Sequence, residues 1–384
     1  MRKILCLTIL CLILAGCAAA PAPTEPVTTA PTVTEPPTTP PTDPPTEPPT
    51  DPPDPIAEQV ASMTTAEKVG QLFLARYDGN RALSHTEQYA LGGWILFSAD
   101  FEGETPDSIR EEIAALQAAS DIPLLIAVDE EGGTVTRVSR FSAFRDSKFA
   151  SPRSLYKKGG AELVIQTEAE KSQLLSSLGI NVNMAPVCDI TTDSSAFMYS
   201  RSLGLSPEET GSVIAGMVEA AQSNGAAPVL KHFPGYGNNT DTHVGIARDK
   251  RSLEELEAND LVPFRMGFDA GCGAVLVSHT TVECLDPQFP ASLSPAVIGY
   301  IRNEMIFDGV IVTDDLVMQA ITDRYGAGDA AVLAVLAGCD LLCSTEYTTQ
   351  YAAVLQAAEE GRISAEMLDA AVYRILRWKQ SILQ

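Results

Sequence analysis

The stretch APVLKHFPG, residues 227–235, contains the pattern that decides the fold. Its first part is short and apolar, as expected for a buried β-strand, and it ends in two basic residues, Lys231 and His232. Pro234 and Gly235 then end the strand and begin a loop. Buried strands that end in chemically reactive side chains are typical of parallel α/β folds.

Short apolar runs of this kind recur along the chain. The eight runs are GQLFLARY (70–77), GGWILFSAD (92–100), PLLIAVDEEGG (123–133), INVNMAPVCDI (180–190), APVLKHFPG (227–235), AVLVSHT (274–280), GVIVTDDL (309–316) and CDLLCS (339–344). Amphipathic, helix-like segments separate them, and alternation of this kind predicts a parallel (β/α)8 barrel of the TIM type over residues 56–384. The last amphipathic segment, 364–382, is expected to close the outer ring of helices.

Most of these runs end in polar residues. At their ends stand Asp129, Glu130, Glu131, Asp189, Lys231, His232, Ser278, His279, Thr313, Asp314 and Asp315. In a TIM-type barrel the carboxyl ends of the strands meet on one face, where active sites lie. A single carboxylate after a strand is equally well explained as a helix N-cap. Several strand ends with the same property predict one common pocket.

Residues 1–16 have the pattern of an export signal, in which a basic start precedes an apolar segment too short to span a membrane. The segment ends in LAGC, residues 14–17, which resembles the lipobox of bacterial lipoproteins. This resemblance implies that Cys17 is lipidated and becomes the first residue of an exported, membrane-anchored protein. The alternative is an ordinary signal peptide cleaved near residues 18–20.

Residues 17–55 are predicted to form a linker between this anchor and the barrel. Beyond Cys17 the segment consists almost entirely of Pro, Thr, Ala, Val, Glu and Asp, with TEPPT and TDPPT units. Such a composition offers little apolar surface to offset the entropy of folding, so the linker is predicted to be disordered. Its proline content favours polyproline II, at about 3.1 Å per residue, and hence a reach on the order of 100 Å.

Charge and cysteine content exclude several classes of partner. The formal net charge of −24 argues against binding to nucleic acid and against binding of the protein surface to acidic membranes. Beyond the linker, cysteines stand at positions 188, 272, 284, 339 and 343. Their number is odd and their spacing is not that of a metal site, so packing in the core is predicted. Neither a metal nor an organic cofactor is expected.

The loop after the strand at residues 227–235 adds a second pair of polar residues. The stretch KHFPGYGNNTDTH, residues 231–243, ends in Asp241 and His243. Together with VDEEGGTVTR, SRSLG, NMAPV and FDGVIVTDDLVMQAI, this stretch resembles glycoside hydrolase family 3, in particular its β-N-acetylglucosaminidase branch. The resemblance covers residues 56–384, and its motifs fall on the strand ends identified above.

The resemblance implies a retaining mechanism in which Asp314 is the nucleophile and forms a covalent glycosyl ester. It also implies that His243 is the acid/base catalyst and that Asp241 is its partner. Histidine suits this role because its unperturbed pKa of about 6.5 lets it donate and accept protons around neutrality. Asp315 points the other way in strand geometry and is expected to be a structural or capping carboxylate.

Further residues are expected to hold the sugar. By the same resemblance these are Asp129, Arg137, Arg201, Lys231 and His232. Charged groups suit a hydroxyl-rich ligand because charge-assisted hydrogen bonds are strong and directional. His279, at another strand end, is a sixth candidate, for which a place in the pocket wall and a purely structural place are equally favoured.

Two features depart from the family pattern. Many family members have histidine at the position of Tyr236 and arginine at that of Thr134. The segment between Gly237 and Asp241 is also one residue shorter here. Neither departure removes a catalytic group, but both affect the expected loop geometry and the preference for the group attached to the sugar.

The sequence thus predicts an exported, lipid-anchored, monomeric glycosidase that releases terminal β-N-acetylglucosamine from peptidoglycan fragments or chitin-type oligosaccharides. A β-glucosidase or β-xylosidase of the same family is an alternative that the Asp241–His243 motif disfavours. A second alternative is a β-N-acetylglucosaminide phosphorylase, because a histidine tolerates an incoming phosphate better than a carboxylate does. A third is a non-catalytic sugar-binding lipoprotein, against which the intact Asp314 and His243 argue.

Overall fold

The computed structural model describes residues 54–237, 241–242 and 245–382. The predicted leader, the lipidation site Cys17, the linker up to residue 53 and the predicted acid/base His243 lie outside these ranges, and the inferences about them remain predictions. In the described ranges, no helix combines the length and the apolar character needed to cross a membrane.

Each of the eight apolar runs contains a strand of one parallel sheet. In chain order the strands are β1 (Phe73–Arg76), β2 (Gly93–Leu96), β3 (Leu125–Val128), β4 (Val182–Asn183), β5 (Ala227–Phe233), β6 (Arg248–Asp249), β7 (Ala274–Val277), β8 (Thr281–Val282), β9 (Val310–Thr313) and β10 (Leu342–Ser344). The large sheet has the order β10-β1-β2-β3-β4-β5-β7-β9, and the short strands β6 and β8 pair separately. The predicted barrel is confirmed.

Hydrogen bonds between β9 and the start of β10 close the sheet into a barrel. The amides of Asp340 and Leu341 both donate to the carbonyl of Ile311, and the Thr313 amide donates to the carbonyl of Leu341. On its other side β10 pairs with β1 in parallel register. The carboxyl ends of the strands therefore lie together on one face.

Helices surround this sheet. In the described ranges they are α1 (Pro55–Ser62), α2 (Thr65–Gln71), α3 (Ala82–Tyr89), α4 (Pro106–Ala118), α5 (Pro152–Ser177), α6 (Pro207–Gln222), α7 (Leu253–Ala258), α8 (Leu261–Asp269), α9 (Pro295–Asn303), α10 (Gln319–Thr322), α11 (Ala327–Ala337), α12 (Tyr347–Glu359) and α13 (Ala365–Ile382). Helix α1 begins at Pro55 because the Asp54 side chain accepts hydrogen bonds from the amides of Ile56 and Ala57. The first helix thus starts one residue before the predicted domain boundary.

Helix α13 has a different place from the one expected. Its residues Ile375 and Trp378 belong to the apolar cluster that fills the inside of the barrel. Trp378 packs against Gly273, immediately before β7, at the amino end of that strand. Helix α13 therefore covers the base of the barrel and does not simply complete the outer ring, because its bulky apolar side chains bury themselves in the open end of the barrel.

Strand β5 is irregular where it carries Lys231 and His232. Val229 and Leu230 pair with β7, the register then shifts, and the pairing continues at Phe233. Neighbouring side chains of a regular strand point to opposite faces, yet Lys231 and His232 both line the cavity described below. The irregular pairing accounts for two adjacent polar side chains on one face.

Candidate active site

A cavity of about 770 Å³ lies at the carboxyl ends of the barrel strands. Its polar and charged lining residues are Asp129, Glu131, Thr134, Arg137, Ser200, Arg201, Lys231, His232, Asp241, Asp314, Asp315, Gln319 and Thr322. Among the predicted site residues that the structure describes, only His279 is not part of this lining. Residues far apart in the sequence are therefore brought together as the strand-end pattern indicated.

Lys231 is the central cation of the cavity wall. Its Nζ lies 2.7 Å from Asp129 Oδ1 and 2.7 Å from Glu131 Oε1, and its side chain is only 3% exposed. Burial alone would lower the pKa of Lys231, but the charges of Asp129 and Glu131 outweigh burial and raise it. Lys231 thus stays charged and fixes two carboxylates in positions from which they can accept hydrogen bonds from hydroxyl groups.

Arg201 forms a second ion pair with Glu131. Its Nε and Nη2 donate to the two carboxylate oxygens of Glu131 at 2.9 and 2.7 Å. Burial alone would raise the pKa of Glu131, but the charges of Lys231 and Arg201 hold it well below its ordinary value. Glu131 is therefore ionised around neutrality and is unsuited to be the proton donor of this site.

Arg137 is held by contacts that leave it a hydrogen-bond donor. Its Nη2 lies 3.2 Å from Asp129 Oδ2, and its guanidinium carbon lies 5.0 Å from the ring centre of Phe97. Arg76 packs on the same ring at 4.8 Å. Because the Arg137 side chain remains 23% exposed and lines the cavity, the accessible part of its guanidinium can still donate to a ligand.

His232 is oriented by Asp189. The Asp189 Oδ2 atom accepts a hydrogen bond from the His232 amide at 3.1 Å and lies 2.8 Å from His232 Nδ1. Arg201 Nη2, which can only donate, lies 3.1 Å from His232 Nε2. The network therefore assigns the ring proton to Nδ1, which donates to Asp189, and makes Nε2 the acceptor.

Asp314 and Asp315 follow β9 and have different surroundings. The Asp314 carboxylate is part of the cavity lining and accepts a hydrogen bond from the Asp315 amide at 2.9 Å. The Asp315 carboxylate accepts hydrogen bonds from the amides of Val317 and Thr345 and from the Thr345 hydroxyl. Asp315 thus ties the loop after β9 to the loop after β10, which agrees with the structural role expected for it.

His279 lies apart from the other predicted sugar-binding residues. Its side chain is fully buried, with Nδ1 2.7 Å from Ser292 Oγ and Nε2 2.9 Å from the carbonyl oxygen of Asp315. Because that carbonyl can only accept, Nε2 is the donor. His279 therefore stabilises the backbone behind Asp315 and lies outside the cavity wall.

Three acidic residues contribute to the site in ways that the sequence did not assign. Glu131 is the partner of Lys231 and Arg201, and Asp189 orients His232. Glu130 is fully buried, and it accepts hydrogen bonds from the amides of Arg137 and Val138. Their position at strand ends was visible in the sequence, but their partners were not. The partners of Glu131 and Asp189 come from distant segments of the chain, and those of Glu130 come from the turn of its own loop.

Close packing holds the first part of the loop that leads to Asp241. Arg251 forms ion pairs with two carboxylates: its Nη2 lies 2.6 Å from Asp249 Oδ2 and its Nη1 lies 2.5 Å from Asp260 Oδ2. A Cβ atom at Gly237 would lie 2.7 Å from the guanidinium carbon of Arg251, and one at Gly235 would lie 2.6 Å from Asp260 Oδ1. Both glycines also have positive φ angles. Only glycine allows the chain to pass the ion pair at this distance.

The fold and the cavity fit a glycoside hydrolase. A parallel (β/α)8 barrel carries its active site at the carboxyl ends of the strands, and the cavity there presents the Asp314 carboxylate beside a wall of paired charges. The chain belongs to glycosyl hydrolase family 3, because residues 64–378 match the family model described as Glycosyl hydrolase family 3 N terminal domain.

Curated relatives agree with this assignment. A β-hexosaminidase from Nitrosomonas eutropha is 32% identical over 261 residues, which make up 66% of this chain and 73% of the relative. The β-hexosaminidase LpqI from Mycobacterium tuberculosis is 31% identical over 332 residues, or 83% of this chain and 84% of LpqI.

Solved structures show the same barrel. A family 3 β-N-acetylglucosaminidase from Paenibacillus sp. FPU-7 matches with a TM-score of 0.79 at 34% identity, over 84% of this chain and 63% of that protein. This chain therefore spans less than two thirds of the Paenibacillus protein. The structure of M. tuberculosis LpqI matches with a TM-score of 0.76 at 28% identity, over 83% of this chain and 95% of LpqI.

Proposed function

We propose that this glycoside hydrolase is a retaining exo-β-N-acetylglucosaminidase. The observation that carries the proposal is the Asp314 carboxylate, which lines the same cavity as Asp241 and the charged group of Asp129, Lys231 and Glu131. The β-hexosaminidase names of the curated relatives and the β-N-acetylglucosaminidase from Paenibacillus support N-acetylglucosamine as the sugar.

The first step of the proposed reaction forms a glycosyl ester. A carboxylate oxygen of Asp314 attacks the anomeric carbon, and the bond from that carbon to the leaving oxygen breaks. The leaving oxygen receives a proton from His243 in its imidazolium form. Asp241 orients the imidazole ring and stabilises its positive charge, as the aspartate of a serine-protease triad does.

The second step returns the enzyme to its starting state. His243, now neutral, accepts a proton from a water molecule, whose oxygen attacks the anomeric carbon. The ester bond to Asp314 breaks, and its carboxylate and the imidazolium of His243 are regenerated. Two displacements at the same carbon leave the product in the β configuration.

The paired charges of the cavity wall provide the sugar-binding groups of the proposal. Asp129 accepts hydrogen bonds from sugar hydroxyls, while Lys231 and Arg137 donate to hydroxyl oxygens. Asp129 orients both cations, because its Oδ1 lies 2.7 Å from Lys231 Nζ and its Oδ2 lies 3.2 Å from Arg137 Nη2. A ligand therefore meets groups that lose little conformational entropy on binding.

The natural substrate and the location of the enzyme complete the proposal. We infer that it acts on peptidoglycan fragments or chitin-type oligosaccharides, outside the cytoplasm and anchored through Cys17. The support for location is the lipobox-like LAGC at residues 14–17, and the proline-rich linker at residues 17–55 supplies the reach to substrates away from the membrane.

One assay tests the activity directly. Hydrolysis of an aryl β-N-acetylglucosaminide is compared with that of the matching aryl β-glucoside, each with and without phosphate. The expected result is a clear preference for the N-acetylglucosaminide, with N-acetylglucosamine as product in both buffers. Formation of a sugar 1-phosphate would instead establish a phosphorylase, and preference for the glucoside would establish a β-glucosidase.

A further inference from the structure

Tyr236 connects the sugar-binding strand β5 to the part of the loop that carries Asp241. Its side chain is only 1% exposed. Its hydroxyl lies 2.5 Å from the hydroxyl of Thr242, the residue next to Asp241 in the chain. This contact spans the segment between Gly237 and Asp241, so it joins the two ends of the loop directly.

The Tyr236 end of this contact is fixed to the sugar-binding wall. Its amide donates to Asp189 Oδ1 at 2.7 Å, and Asp189 is also the residue that orients His232. The tyrosine ring packs edge-on against His232 and Phe197, with ring centres 5.3 and 5.7 Å apart. The position of the hydroxyl is therefore set by groups that also shape the cavity.

The Thr242 end is fixed to the loop that follows the predicted nucleophile. Thr242 is fully buried, and its carbonyl oxygen accepts a hydrogen bond from the amide of Ala320 in α10 at 3.3 Å. Helix α10 begins shortly after Asp314 in the chain, and its Gln319 lines the cavity. Thr242 is thus held between β5 on one side and the segment after β9 on the other.

The surroundings of the Tyr236 hydroxyl keep it protonated. Burial raises the pKa of Tyr236 far above its ordinary value, and the negative charges of Asp314, Asp189 and Asp241 add to that effect. The hydroxyl therefore remains neutral and able to hydrogen-bond around neutral pH.

We propose that the Tyr236 hydroxyl is a positioning group for proton transfer, because its hydrogen bond to Thr242 holds Asp241 at the cavity wall. This inference rests on the proposed function, in which Asp241 orients the acid/base histidine. Tyr236 itself does not touch the sugar in this role. Its loss changes where Asp241 lies and leaves Lys231, Asp129 and Arg201 in place.

The decisive variant is Tyr236→Phe, which removes the hydroxyl and keeps the ring that packs on His232. Two substrates are compared: N,N′-diacetylchitobiose, whose sugar leaving group needs protonation, and an aryl N-acetylglucosaminide with an acidic phenol, which needs little. General acid catalysis contributes about 10²- to 10⁴-fold, so a partial loss of positioning is expected to lower kcat/KM for the disaccharide by about 10- to 100-fold. For the aryl substrate the expected loss is about threefold or less.

The matched control is Tyr347→Phe. Tyr347 is also a buried tyrosine, 3% exposed, and its hydroxyl bonds to a side chain, His85 Nδ1, at 2.7 Å. Tyr347 does not line the cavity. This variant removes a comparable hydrogen bond and is expected to change kcat/KM for both substrates by the same small factor.

Thr242 provides an independent check on the same contact. Thr242→Val should reproduce the selective loss on the disaccharide, and Thr242→Ser, which keeps a hydroxyl, should restore most of the activity. In the double variant Tyr236→Phe/Thr242→Val the loss should be no larger than in either single variant, because both remove one hydrogen bond. Should Tyr236→Phe not fold, as judged by its thermal melt, these threonine variants decide the question alone.

The outcomes separate the two proposals. Wild-type enzyme that cleaves neither substrate would overturn the proposed function. If the wild-type enzyme is active, two results would overturn the positioning role. One is an equal loss of kcat/KM on both substrates in Tyr236→Phe, and the other is additive losses in the double variant. A loss confined to the disaccharide and repaired in Thr242→Ser would establish it.

Discussion

Two adjacent carboxylates show how the surroundings of a residue decide its chemistry. Both residues line the cavity, but the Asp315 carboxylate accepts hydrogen bonds from the Val317 amide and the Thr345 hydroxyl, whereas the Asp314 carboxylate accepts one from the Asp315 amide. Burial also raises the pKa of Asp315. The two residues are chemically identical in the sequence, and only their contacts assign different roles to them.

Replacement of Asp314 tests its role as nucleophile. Asp314→Ala is expected to lower kcat by at least about 10³-fold, the scale on which loss of a catalytic nucleophile acts, while the thermal melt changes little because the side chain is not part of the core. A slow 2-fluoro glycoside should label Asp314 covalently, as detected by peptide mass spectrometry. Labelling of Asp315 would contradict the assignment, and Asp315→Asn serves as the neighbouring control.

Replacement of His243 tests the acid/base pair. His243→Ala removes protonation of the leaving oxygen and activation of water, so the loss in kcat/KM should be severe for a disaccharide and smaller for an aryl glycoside with an acidic phenol. Asp241→Ala should show the same order in milder form, because an unoriented imidazole still exchanges protons. The measurement is the ratio of kcat/KM for the two substrates in each variant. An equal loss on both would mean that His243 only binds sugar.

At the scale of the element, β5 and α13 contribute to opposite ends of the barrel. The irregular pairing of β5 turns Lys231 and His232 to the active-site face, and α13 covers the opposite end with Trp378. The next residue, Lys379, is also buried, 3% exposed, with its Nζ 2.7 Å from Gln71 Oε1. No carboxylate among the described residues pairs with it, and burial lowers the pKa of Lys379 to about 7.

The buried lysine predicts a specific dependence of stability on pH. Between pH 7 and about 10.4, the ordinary lysine pKa, the unfolded chain binds a proton at Lys379 that the folded chain does not. Burial of Lys379 should therefore make the free energy of unfolding rise with pH from 7 to about 8.5, by at most about 1.4 kcal/mol per pH unit, and this rise is absent below pH 7. Above about pH 8.5 the buried thiols of Cys188, Cys272, Cys339 and Cys343, whose pKa values burial raises, act in the opposite direction, because the folded chain keeps protons that the unfolded chain loses.

Lys379→Met is the variant that tests this pH dependence. It should remove the rise between pH 7 and about 8.5 and increase stability at pH 7, because methionine fills the site without an ionisable group. Denaturant unfolding at several pH values measures the effect. Lys158→Met, at an exposed lysine of α5, is the control and should leave the slope of the wild type unchanged. An identical slope in wild type and Lys379→Met would show that Lys379 is charged in the folded state.

At the scale of the whole molecule, the proposal combines a catalytic barrel with a predicted proline-rich linker and a predicted lipid anchor. The described barrel residues include a cavity built from strand ends, the loops that follow them and the short helix α10. The predicted linker and anchor precede all of its elements in the chain. Location and catalysis are therefore expected to be separable by mutation.

Cys17→Ser tests the anchor. The variant should be exported but found in the soluble fraction, because a lipid and not a spanning helix is expected to hold the protein at the membrane. Its kcat/KM on a small aryl substrate should be nearly the same as that of the wild type. Membrane fractionation followed by activity assay makes both measurements. A variant that remains in the membrane fraction would show that something other than a lipid at Cys17 anchors the protein.

Much of the fold could be predicted because local patterns of apolar and polar residues in the sequence specify its strands. Each apolar run, such as residues 309–316, is long enough for one buried strand and is bounded by polar or glycine-containing segments. The position of α13 was not predictable, because an amphipathic helix shows that one face is buried but not which surface buries it. His279 was ambiguous for a related reason, since a strand-end histidine can point to the cavity or to the backbone behind it.

Local sequence determined the number and order of the strands, the polar residues at their ends and the glycines at 235 and 237 that the loop requires. These properties depend on a residue and its near neighbours. Only the tertiary structure decided that Lys231 joins Asp129 to Glu131 and that Tyr236 reaches Thr242 across the loop. Such contacts depend on barrel closure and on strand register, which bring distant segments within about 3 Å, the distance over which hydrogen bonds act.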